Sequence, residues 1–157
     1  ARENPEMRRR LTPLGCTQTD ASSRIGVGAY QDEYKQQEGN RQQFLLGDTC
    51  SLDDLVRDLA RMGYITSFCT AGYRCGRTGQ CIMDLLRSGA EGKFCKLNAV
   101  LTFREWLDDF ASPETRAVGE VVLQQELEEI RAKAPKGFAA FMKNYERTAR
   151  GERDLYF

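Results

Sequence analysis

The stretch "SLDDLVRDLARMGYITSF", residues 51–68, constrains this chain more than any other. Leu52, Leu55, Val56, Leu59 and Met62 recur at helical spacing, so one face of a helix here is apolar. Ser51 with Asp54 resembles a capping box at its start, and Gly63 supplies the stop. "YITSF" follows at once with the β-branched and aromatic character of a strand, and "CTQTDAS", residues 16–22, has a similar short pattern upstream. Residues 24–50 are rich in Gly, Gln and Asn without a sustained period and read as a long surface loop. Strand, loop, helix, Gly and strand make a βαβ unit, so strands 16–22 and 64–68 are expected to be parallel neighbours.

Helical patterns occupy the flanks. Asn4 and Pro5 form a cap and first-turn pair, opening a helix that carries Met7 and Leu11 inward until Pro13 and Gly15 end it. Gly79 to Arg87 places Ile82, Met83, Leu85 and Leu86 on one side. Thr102 is expected to cap a short helix with Phe103, Trp106, Leu107 and Phe110. Ser112, Pro113 and Glu114 open a further helix bearing Val118, Val121, Val122 and Ile130, and Gly137 to Thr148 adds Phe138, Phe141, Met142 and Tyr145. The aromatic stripes read as core or interface.

Composition closes off several classes of function. The 23 basic and 23 acidic residues cancel, and they interleave, so no basic face exists for nucleic acid. The run Arg8, Arg9, Arg10 reads as a solvated helix flank. No apolar stretch reaches the roughly 18 residues a transmembrane helix needs. The start, "ARENPEMRRR", lacks a signal-peptide apolar region and reads as an internal or processed end. Histidine is absent altogether, which removes Ser-His and Cys-His nucleophile pairs and every His-containing zinc site.

Six cysteines remain: Cys16, Cys50, Cys69, Cys75, Cys81 and Cys95. Three fall in "SFCTAGYRCGRTGQC", residues 67–81, at the C-terminal end of the expected second strand, the edge where α/β folds place ligands. Cys69, Cys75 and Cys81 are spaced by six, which is about 240° on a helix, and neither a zinc knuckle nor a redox CxxC results. Free thiols or one or two bridges are the plain alternative. A thiol-based or small-molecule module using Arg74 and Arg77 beside these cysteines is another.

Several blocks in order, "GDTCSLDDLVRDLARMGYITSFCTAGYRCGRTG", "FCKLNAVLTFREWLDDFASPETRAVGE" and the closing "GERDLYF", resemble the C-terminal third of the HydG family, radical-SAM tyrosine lyases that mature FeFe-hydrogenase. The resemblance covers essentially all 157 residues. It implies an α/β fold in which residues 1–78 are a partial barrel remnant, the last two parallel β/α units with the long loop 24–50, and 79–157 are a helical C-terminal extension, all in one domain. It also implies an auxiliary 4Fe–4S cluster on a CX2CX22C motif, which falls here on Cys69, Gly72 and Cys95. Glycine has no side chain to bind iron. Cys75, three residues on, is the substitute within reach of the same loop, so Cys69, Cys75 and Cys95 are the vestigial ligand set. The family tends to have GDHR where this chain has Gly47, Asp48, Thr49 and Cys50. The CX3CX2C spacing of radical-SAM chemistry occurs nowhere in these residues.

A two-stranded barrel piece exposes strand edges and a sheet face that something else must cover. The expected function is therefore a non-catalytic accessory or structural subunit, a pseudoenzyme without cofactor. Its partners would be the other protein subunits of a larger assembly, such as an organellar membrane complex. The alternative is the auxiliary iron–sulfur portion of a HydG-like lyase. The family's occurrence in hydrogen-producing organelles favours a plastid location, with the cytoplasm as the other choice.

Overall fold

The computed structural model describes residues 3–21, 24–30, 40, 42–68, 79–88 and 92–157. Among the described residues there are six α-helices: α1 Pro5–Leu11, α2 Leu52–Arg61, α3 Gly79–Ser88, α4 Gly92–Asp109, α5 Pro113–Lys133 and α6 Pro135–Ala149, with a 3-10 turn over Thr12–Leu14. The chain divides into two compact units, Ala1–Leu55 and Val56–Phe157, with the boundary inside α2.

No strand occurs among the described residues, so the α/β expectation, a barrel remnant with parallel strands 16–22 and 64–68, is overturned. Several polar groups of the two segments are bound elsewhere. The Thr19 hydroxyl and the Asp20 carbonyl accept hydrogen bonds from Arg8. The Tyr64 N–H is taken by the Leu59 carbonyl at 3.0 Å in the stop of α2. Phe68 stacks on Trp106 with ring centroids 5.7 Å apart. A parallel pair of short strands has little stability without flanking strands and helices on both faces.

Local signals act where they were read. The Ser51 hydroxyl accepts the Asp54 N–H at 3.1 Å, and the Asp54 carboxylate accepts the Ser51 N–H at 3.2 Å, a reciprocal capping box. Gly63 adopts φ 83°, and its N–H reaches the Ala60 carbonyl while Tyr64 reaches Leu59, the paired bonds of a Schellman stop. The Asn4 side chain caps α1 through the Met7 N–H at 2.8 Å.

The core lies in the second unit, around α4. Val100, Leu101, Phe103, Trp106 and Leu107 are buried and together cover more than half of its circumference, because α5 and α6 pack on different sides of it. On α5, Thr115, Gly119, Val122, Leu123, Leu127 and Ile130 form one stripe. A Cβ built on Gly119 would sit 2.6 Å from the Leu107 Cδ1, so the small residue permits the close approach of α5 to α4. Phe141, Tyr145 and Thr148 face inward from α6, and Val56 and Ala60 from α2 complete the set.

Two expectations fail in detail. Thr102 caps nothing: α4 continues from Gly92 to Asp109, and the Thr102 hydroxyl donates back to the Ala99 carbonyl. Met7 is exposed rather than inward, and Phe110 and Val121 are exposed as well. The side chains of Ile82, Leu85 and Leu86 lie outside the described set.

The first unit is built differently. Among its described residues no apolar side chain is fully buried, and Leu14, Val27, Tyr30 and Leu45 are largely exposed. Its organising contact is ionic. Arg8, only 12% exposed, donates to Asp48, itself 5% exposed, at 2.6 Å. The second Asp48 oxygen accepts the Cys50 N–H at 2.8 Å. Arg8 is thus not the solvated flank its run suggested, whereas Arg10 is, in an exposed pair with Glu6.

Candidate functional site

The cysteine segment begins directly after Phe68, which its stacking on Trp106 fixes against α4. Cys69, Gly72, Arg74, Cys75 and Arg77 lie outside the described residues. On the far side of the segment, Cys81 is exposed on the first turn of α3 and Cys95 is exposed on the first turn of α4. Lys96, next to Cys95, is committed to α5, with its ammonium 2.7 Å from Glu126 and in contact with Glu129. Partial burial works against that charge, but the two carboxylates outweigh it and raise its pKa. Hydrogen bonds from Lys133 and Lys96 lower the Glu129 pKa to about 2.

A cluster held as the CX2CX22C motif implies needs three thiolates. This chain offers Cys69 and Cys95, with a residue lacking any side chain between them at 72. The donor set does not fit that motif. Among the described residues no group of three carboxylate or thiol side chains converges to hold a metal ion.

Two further features were not read from the sequence. The first is an ion-pair network on α4 and α5. Arg104 reaches Asp108 at 2.7 Å and Glu120 at 2.9 Å, and Arg116 reaches the same Asp108 at 2.6 Å. The Arg104 guanidinium lies 6.0 Å from the centre of the Tyr145 ring. Burial raises the pKa of the Tyr145 hydroxyl. These charges cancel one another, so the network ties helices together and offers no group to a substrate. The second is the C-terminal segment. Asn98, 3% exposed, accepts the Phe157 N–H at 2.8 Å and donates to the Phe157 carbonyl at 3.3 Å. The Phe157 ring lies 6.2 Å from that of Phe141. Asn98 and Phe157 are 59 residues apart, beyond the reach of any periodicity argument.

A shallow groove of about 390 Å³ also opens between the end of α2 and α5, lined by Ala60, Arg61, Gly63, Val118, Val121 and Gln125.

No protein-family model matches the sequence, and no curated protein matches it. Among solved structures, the crystal structure of HydG, a maturase of the FeFe-hydrogenase, superposes with a TM-score of 0.82 at 36% sequence identity. The alignment covers 99% of this chain and 32% of that one. The chain is similar to a third of HydG. An identity of this size across nearly every residue means that the helical core, and not the fold class alone, is shared with HydG. The correspondence is what the ordered sequence blocks implied, and it holds although the parallel strands do not form. The chain spans about a third of the length of the HydG chain it matches. No helix among the described residues is long and apolar enough to cross a membrane.

Proposed function

We propose that this HydG-like region acts as a non-catalytic accessory module within a larger protein assembly. Glycine at position 72 carries the reading, because it removes the middle thiolate of the motif that the resemblance places on Cys69, Gly72 and Cys95. The assembly part rests on the first unit. Leu14, Val27, Tyr30 and Leu45 stay exposed there beside one buried ion pair, so the unit gains from apolar cover that it does not itself supply.

The second reading is the auxiliary iron–sulfur portion of a HydG-like lyase, a proposal that draws on the similarity running over 99% of the chain. It requires Cys75 to replace the thiolate missing at 72, beside Cys69 and Cys95.

Anaerobic reconstitution with ferrous iron and sulfide separates the two. The chain should retain iron well below one cluster per molecule, and Gly72→Cys should bring it to stoichiometric iron with the visible absorbance of an iron–sulfur chromophore. A stoichiometric cluster in the unsubstituted chain, lost on Cys75→Ser, establishes the second reading instead.

A further inference from the structure

The residues after α6 are held by polar contacts as much as by packing. Gly151 turns the chain at φ 99°, and Arg153 then spans to Asp109 on α4 while also donating to the Thr148 carbonyl at 3.0 Å. Asp154 takes a left-handed φ of 62°, uncommon for a residue with a side chain. Leu155 and Phe157 pack against the core, and Asn98 closes on the last backbone amide and carbonyl.

Beneath this tail sits Glu105, one helical turn before Asp109. Its carboxylate accepts the Asp154 N–H, while its Oε1 is sealed from solvent without a hydrogen-bond partner among the described residues. A buried acceptor with no donor is costly, and more so when it carries charge. We infer that Glu105 is a proton-sensitive catch for the C-terminal tail: neutral, it lets the residues from Asp154 to Phe157 seat on α4, and ionised, it loosens them.

The charged groups acting on Glu105 are Arg153 and Asp154 from the tail and Asp109 from α4. Arg153 favours its ionised form, but that guanidinium is already bound by Asp109, 2.7 Å away. Asp154 and Asp109 repel the ionised form. Burial is the largest influence and holds the Glu105 carboxyl above its ordinary pKa. A carboxyl raised in the seated state stabilises that state below its unfolded pKa, and the contribution is lost as pH rises through the raised value. Asp109 acts in the opposite sense. The hydrogen bond from Arg153 lowers its pKa, so its hold on the tail fails only as pH falls through a value below 3.8. Between those two points the tail is seated best. Its departure uncovers the Phe141 ring and the Asn98 amide.

This inference is independent of whether the cysteine segment binds iron. It is tested on the full chain by amide hydrogen exchange, with rates expressed as protection factors so that the intrinsic pH dependence of exchange cancels. Protection at Phe157 should rise several-fold from about pH 7.5 to about pH 5, while core amides such as Leu123 do not follow. Glu105→Gln, which keeps the shape and removes the charge, should hold Phe157 protected equally at both pH values. Asn98→Ala should leave Phe157 poorly protected at both. The inference is overturned if wild-type protection is flat or falls on acidification, if Glu105→Gln keeps the wild-type pH dependence, or if core amides change in parallel. It also fails if Asn98→Ala leaves Phe157 protected.

Discussion

Phe141→Ala lowers the stability of the second unit by about 3–5 kcal/mol, the range for deleting a buried phenyl ring. Phe141 is 1% exposed, and its ring centroid lies within 6.3 Å of those of Phe138, Tyr145 and Phe157. The cavity therefore opens where α4, α6 and the C-terminal segment meet, and none of the three can collapse into it without abandoning another contact. Urea unfolding followed by the fluorescence of Trp106, which is buried in the same core, reads the loss. A drop below about 1 kcal/mol would show that the tail repacks into the space and that the core is less tightly built than described.

Arg8→Ala costs the first unit about 3 kcal/mol, because it takes the guanidinium from the Asp48 carboxylate in a buried site. Arg10→Ala, next but one along the same helix, removes only the exposed pair with Glu6 and should change stability by about 0.5 kcal/mol or less. The pH dependence gives a second readout. Burial works against the Asp48 charge, but hydrogen bonds from Cys50 and Arg8 prevail and hold its pKa below 3.8. A depressed carboxyl contributes stability that is present above the unfolded pKa and lost as pH falls through the folded one. In Arg8→Ala the Arg8 contribution is gone while the Cys50 hydrogen bonds remain, so the first unit should lose less stability on acidification than the unsubstituted chain does. Amide exchange across residues 47–50 as a function of pH distinguishes these slopes; identical slopes in the two proteins would sink the assignment.

How much could be read in advance depended on how far apart the interacting groups lie in sequence. The Ser51–Asp54 box, the Gly63 stop and the Asn4 cap each involve residues three to five apart, and each formed as read. The strand expectation failed for the complementary reason. "CTQTDAS" and "YITSF" have strand-like composition, but a strand exists only through its neighbour, and Arg8, Leu59 and Trp106 hold these segments instead. Thr102 misled because a threonine before an apolar run looks the same whether its hydroxyl caps a new helix or bonds back within an old one. At the cysteine segment, the glycine at 72 was visible directly, but only the resemblance, whose CX2CX22C motif falls on Cys69, Gly72 and Cys95, gives it a meaning.

Sequence alone therefore determined the caps of α1 and α2, the Gly63 stop, the absence of histidine, and the resemblance to part of HydG, because each is written in near neighbours or in residue identity. Tertiary structure alone decided that Arg8 meets Asp48 forty residues away, that Asn98 clamps Phe157, and that Glu105 is sealed under the tail. Those contacts exist only after segments distant in sequence have been brought together by the fold, and a one-dimensional pattern carries no record of which polar groups folding will enclose.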